Sequence, residues 1–207
     1  MGVTVLVAYV ASILWTLRIS VSNSKMLPRN DWVGFKQYAE LFDTERWLTS
    51  LANIGLFGLF FIAGAMVLGF LLAVFIDQKV RLEGVFRTIY LYSFSISFVA
   101  CGVVWQWMFN PTLGIQRSLR SWGFENARFD WITSQEMAIY CVVICVLWHS
   151  AGLVMAILLA GLRGLDDEQW KAARIEGVPR WRYYLSIVLP QLGPSLGTAF
   201  VLLAVSV

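Results

Sequence analysis

Five apolar runs, each long enough to cross a bilayer, constrain this chain more than anything else in it. They cover residues 3–19, 51–76, 89–109, 137–162 and, starting near Tyr184, 184–207. The runs measure 17 to 26 residues, and a helix needs roughly 20 to cross the hydrocarbon core. Lipid offers no partner for an open backbone, so each run is read as a helix. A buried helix of a soluble protein mimics one such run, but not five in succession. The expected fold is an all-α transmembrane bundle, residues 1–207 forming one membrane domain. Composition agrees, at 58% hydrophobic and 14% charged residues, where soluble domains hold about 45–50% and about 25%. A mean hydropathy of +0.68 would leave a soluble body with patches that aggregate. The lipid bilayer is therefore a required partner. The net charge of +3 is too small to argue for nucleic acid.

The loops set an expected orientation. The loop at 77–88 carries Lys79, Arg81 and Arg87; the loop at 163–183 carries Arg163, Lys171, Arg174, Arg180 and Arg182. These are denser in basic residues than the loop at 22–50, with Lys25, Arg29, Lys36 and Arg46, or the loop at 110–136, with Arg117, Arg120 and Arg128. Basic loops stay in the cytoplasm, which places 77–88, 163–183 and the N-terminus inside. Trp122, Phe124, Phe129 and Trp131 in the loop at 110–136 suit an interfacial aromatic belt. A surface for an external partner is the other reading. The last run stops at Val207 without a polar flank, so the chain is expected to be a piece of a longer polypeptide.

The loop at 163–183 carries the densest local signals. Asp166 suits an N-cap, and Asp167 and Glu168 suit the positive end of a helix. Gly177 followed by Pro179 suits a left-handed stop. The spacing predicts a helix over 167–176, about 15 Å long at about 1.5 Å per residue, half of what a bilayer needs. Trp170, Ala173 and Gly177 share one face, with Ala172 and Ile175 beside it. An open face of small residues admits close approach by another backbone, as when a helix enters a partner's groove. A helix resting on lipid headgroups is the physical alternative.

Lys171-Ala-Ala-x-x-Glu-Gly-Val, followed by Tyr184, Ile187, Leu189-Pro190 and Pro194, resembles the EAA loop of binding-protein-dependent ABC importer permeases. Ala172, Ala173, Glu176, Gly177, Ile187 and Pro190 match its pattern, while Lys171 stands where the family usually has Glu. Glu168, one turn earlier, could partly substitute. The resemblance extends to Asp31-Trp-Val-Gly-Phe-Lys-Gln-Tyr, Asn53, Phe86-Arg-Thr-Ile-Tyr-Leu-Tyr and Phe109-Asn-Pro-Thr-Leu-Gly, which are similar to carbohydrate-type permeases, with the glucose/mannose type as the suggested subgroup. It implies a permease subunit of the cytoplasmic (inner) membrane that forms half of a sugar pathway. It also implies a cytoplasmic ABC ATPase subunit, a second homologous permease and a periplasmic or extracellular sugar-binding protein as partners. Asp166, Glu168, Lys171, Ala172, Ala173, Glu176, Gly177 and Pro190 are then the ATPase-coupling residues. A sixth span, usual in the family, is expected beyond this piece.

Other constellations carry less. Cys141, Cys145 and His149 fall four apart on one helical face, but the outer two are about 12 Å apart by helical rise, too far to share a metal. No metal, cofactor or catalytic group is expected. His149, the one histidine, with Trp148 and Ser150, sits mid-span, where polar groups face the bundle interior or a water-filled path. Sugar contact and simple packing both remain open for it. Gln106 and Trp107 are weaker candidates. No Gly-x-x-x-x-Gly-Lys-Ser/Thr loop is present, so ATP hydrolysis by the P-loop route belongs to another subunit. An ion-coupled secondary transporter would more often hold acidic residues inside its spans, and these spans have none.

The orientation is tested with single cysteines at Glu83 and Gln135, in a background lacking Cys101, Cys141 and Cys145. A membrane-impermeant thiol reagent on intact cells should label position 135 and spare position 83; the reverse pattern inverts the topology.

Overall fold

The computed structural model describes residues 2–23, 31–78, 81–126, 128, 130–134 and 136–207. Lys25, Arg29, Lys79, Phe129 and Gln135 lie outside the described residues. Two compact units are present, Met1–Asn53 and Ile54–Val207.

In the first unit, helix α1 (Gly2–Ser20) is apolar. An antiparallel bridge joins Ser22 to Trp32, with Val33 N–H donating to Val21 O at 3.1 Å. Gln37, in helix α2 (Lys36–Asp43), donates to the Ser22 carbonyl at 2.8 Å. The short segment 31–38 is thus tied back to the end of α1.

Helix α3 (Glu45–Asp77) has 33 residues, about 50 Å at about 1.5 Å per residue, against a core of about 30 Å. Then come α4 (Glu83–Ser95), α5 (Phe98–Met108) and α6 (Ile115–Ser121). Helix α7 (Ala138–Arg163) is the most enclosed. After it lie α8 (Asp167–Ile175), α9 (Arg180–Tyr183), a π-helical turn (Tyr184–Val188), α10 (Leu189–Gln191) and α11 (Gly193–Ser206). Among the described residues the regular structure is helical.

Phe61 and Ala65 of α3, Met155 and Leu158 of α7 and Leu203 of α11 share one buried apolar cluster. Small residues let the helices come this close. A Cβ at Gly152 of α7 would collide with the Tyr90 carbonyl of α4. The α4–α7 contact is therefore backbone to side-chain-free backbone, the approach that glycine permits in membrane helices.

The all-α membrane fold is as expected, but the spans differ. Among the described residues, only α3 and α7 are single helices long and apolar enough to cross a membrane; α1 is a shorter apolar helix. The run at 89–109 is not one helix. It bends by 101° between α4 and α5, because Ile96 and Ser97 are extended, with ψ of 139° and 137°. The run from Tyr184 bends by 73° between Gln191 and Gly193. Pro194 stands in the first turn of α11, where a missing N–H costs least, whereas Pro190 follows the π-helical turn near the end of the continuous helical stretch Arg180–Gln191. Pro190 cannot donate to the carbonyl four residues back, and the turn before it widens, with Leu189 N–H reaching Tyr184 O.

Gly152→Val should destabilise the protein by about 1–3 kcal/mol, the usual cost of overpacking. Gly102, in α5, faces open space, so Gly102→Ala should be neutral or stabilising by up to about 1 kcal/mol. A thermal melt followed by a thiol-reactive dye, which reports exposure of the buried Cys101 and Cys141, separates the two. Equal losses would contradict the packing described.

Candidate functional site

Helix α8 is built as its residues suggest. Asp166 is extended at ψ 124°, and its Oδ1 accepts from Glu168 N–H at 3.0 Å, satisfying one of the open donors of the first turn. At the other end Gly177 has φ +72°. Val178 N–H donates to Ala173 O at 3.0 Å and Gly177 N–H to Arg174 O at 3.2 Å. That pair of bonds with a left-handed glycine is the Schellman stop. Its apolar half is present too, since Val178 and Ala173 join the same core cluster.

The faces of α8 correct the expectation. Ala173 is 3% exposed, so it turns into the protein and not outward with Ala172. Trp170 explains this: its ring lies 4.9 Å from Tyr183, and the largest apolar side chain of the helix carries its face inward. Arg180 stacks over Trp170 at 5.7 Å. Gln191 Nε2 donates to Gln169 Oε1 at 2.9 Å. The outward face holds Glu168, Lys171, Ala172, Ile175 and Glu176, with Gly177 exposed at its end. Ile175 is 87% exposed, an apolar side chain held in the open between charged neighbours. Sequence reasoning placed Ile175 only beside the docking face. Its signal was position: it shares a side with Glu168 and Ala172, away from Trp170.

Behind α8 opens a cleft of about 820 Å³, lined among others by Asp77, Glu83, Arg163, Arg180 and Tyr184. Tyr184 Oη–H donates to Asp77 Oδ2 at 2.9 Å. Arg180 donates to Gln78 Oε1 at 3.5 Å, and Arg163 pairs with Glu83. These contacts put the loops at 77–88 and 163–183 at the same end of the bundle. Pro190 lies on α10, next to the Gln191 that holds α8.

The mid-span candidates separate. Trp148 is 43% exposed and meets Trp105 edge-on at 6.0 Å. His149 is 2% and Ser150 7% exposed. The His149 ring packs 5.5 Å from Phe94 and 4.2 Å from Phe98, so it fills the elbow between α4 and α5. Its Nδ1 has no partner among the described residues. Cys145 Sγ lies 3.4 Å from Cys101 Sγ, across to α5 and not along α7 to His149. Among the described residues no three His, Cys, Asp or Glu side chains converge as ligands would. Gln106 and Trp107 are exposed near the end of α5.

Comparisons with known proteins agree with this layout. The family profile described as the binding-protein-dependent transport system inner membrane component matches residues 65–207. A probable ABC transporter permease protein of Pyrococcus horikoshii is 38% identical over 94% of this chain and 67% of its own length. The xylose/arabinose import permease protein XacH of Haloferax volcanii is 32% identical over 86% of this chain and 56% of its own. This chain thus spans about half to two thirds of the length of the curated relatives it matches. A crystal structure of a bacterial ABC transporter that imports the polysaccharide alginate superposes with a TM-score of 0.80 at 19% identity, over 98% of this chain and 68% of that one. The likeness shows the shared fold. With the profile covering more than half of the chain, and α8 capped where the EAA-like residues stand, the chain belongs to the family of binding-protein-dependent transport system inner membrane components.

Proposed function

We propose that the whole protein is the transmembrane permease subunit of an ABC importer that moves a sugar into the cell across the cytoplasmic membrane. The carrying observation is α8: a helix too short to span, capped at both ends, with Ile175 and Ala172 open to the outside. Such a face suits a groove on a cytoplasmic ATPase subunit. In that docking Glu168, Lys171, Ala172, Ile175, Glu176 and Gly177 face the ATPase. Asp166 holds the helix start, Ala173 anchors the helix to the bundle, and Pro190 shapes the turn behind it. The N-terminus and the loops at 77–88 and 163–183 lie in the cytoplasm, as their basic residues favour.

The names of relatives support the substrate class: a xylose/arabinose import permease, a diacetylchitobiose uptake permease and a trehalose/maltose transport permease. A second structural neighbour is an alginate ABC transporter in complex with a pentasaccharide-bound periplasmic protein. By the same reasoning the partners of this chain are a second permease and an external sugar-binding protein, and ATP is hydrolysed in the separate ATPase subunit. Trp148 is the member of the mid-span trio that faces away from the core, and its ring suits stacking on a sugar; His149 and Ser150 position it from within.

Co-purification of the ATPase, with uptake of labelled mono- and oligosaccharides, tests this reading. Gly177→Asp adds a charge on the docking side and strains a positive φ, and should lose ATPase association or uncouple hydrolysis from uptake. Lys171→Ala should be milder, because exposed ion pairs contribute only about 0–1 kcal/mol. Normal association and uptake in Gly177→Asp would overturn the docking role.

A further inference from the structure

The residues that hold α8 also reach a helix far away in sequence. Arg180 and Tyr184 are one helical turn apart, so they share a face. Arg180 contacts Gln78, and Tyr184 donates to Asp77 at 2.9 Å. Asp77 is the last residue of α3 and Gln78 follows it. On their other side Arg180 and Tyr183 hold Trp170 of α8. A continuous set of contacts therefore runs from the coupling helix through α9 to α3.

Two features make the Tyr184–Asp77 bond more than packing. Asp77 is the last residue of α3, where the helix dipole disfavours a carboxylate and favours a cation. The position works against α3 alone and makes sense through its partner, since a hydroxyl donating to a carboxylate is among the stronger hydrogen bonds. Tyr184 is also the first residue of the π-helical turn, and the 73° bend follows beyond it. The bond thus lies on the α8 side of both deformable points, and α11 lies on the other.

We propose that Tyr184 and Asp77 form a latch that makes α3 move as one body with the coupling helix, while α11 pivots about the bend that follows Gln191. Both are positioning residues: they act through α8 and need not touch the solute. The inference rests on the docking role proposed above. It adds α3 as a second element driven by the ATPase, and it places the hinge after Gln191.

The test uses the complete transporter, in a background lacking the three native cysteines, with ATP and vanadate as the trapping probe. Spin labels go at Leu71 on α3 and Arg182 on α9, and for comparison at Leu71 and Val205 on α11; all three sites are exposed. In the wild-type complex the 71–182 distance should stay unchanged on trapping while the 71–205 distance shifts. Tyr184→Phe and Asp77→Leu should each make the 71–182 distance shift or broaden, and the double variant should do no more than either. Asp77→Asn keeps an oxygen that accepts from Tyr184 and should behave as wild type, which a loss of general stability would not produce. If Asp77→Leu lowers membrane abundance, the contrast between Tyr184→Phe and Asp77→Asn decides alone. A wild-type 71–182 distance that shifts as much as 71–205, or a Tyr184→Phe complex identical to wild type, overturns the latch. A wild-type chain that binds no ATPase overturns the docking role, and the latch with it.

Discussion

A backbone in lipid must find its hydrogen bonds within the protein, and that constraint explains where this chain is allowed to break. Among the described residues it breaks twice inside apolar sequence, and both breaks are covered. At the elbow between α4 and α5, α7 lies close behind, brought in by Gly152 against the Tyr90 carbonyl. The His149 ring fills the corner between Phe94 and Phe98 and approaches the Ser93 backbone in the last turn of α4. At the second break the π turn absorbs the donor that Pro190 lacks, and Leu196 N–H returns to Leu192 O at 2.8 Å. The enclosed position of α7 follows from the same constraint, since it is the straight helix against which bent neighbours are supported.

The same logic makes α8 a separate object. A helix of nine residues is marginal alone. Here it is held by the Asp166 cap, the Gly177 stop and the inward anchor of Trp170 and Ala173. With its inner face so fastened, its outer face can carry Ile175 in the open without the helix unravelling. Rigid attachment is what the coupling role proposed for α8 requires, because a loose helix would dissipate the displacement at its own hinges.

Much of this was legible in the sequence. Length and hydropathy mark α3 and α7, and the caps of α8 appear to within a residue, because Asp166, Gly177 and Pro179 act locally. The elbow at Ile96 and Ser97 was not legible. It carries no glycine or proline, and the apolar run continues through it, so its cause is tertiary support from α7. The direction of α8 was half legible. Periodicity shows that Trp170 and Ala173 share a face and that Ala172 lies beside it. It does not say which face meets the bundle until Tyr183, Arg180 and Gln191 are in place. Trp148 and His149 are likewise adjacent in sequence and opposite in surroundings, a division set by Phe94 of α4 and Phe98 of α5.

In the docking proposed for α8, its outward side, and not its Trp170–Ala173 side, meets the ATPase. A photo-crosslinking amino acid placed singly at Ile175 and at Ala173 in the assembled transporter distinguishes the two sides. Position 175 should give an ATPase adduct, and position 173 only crosslinks within the permease. An ATPase adduct from 173 with none from 175 would contradict it.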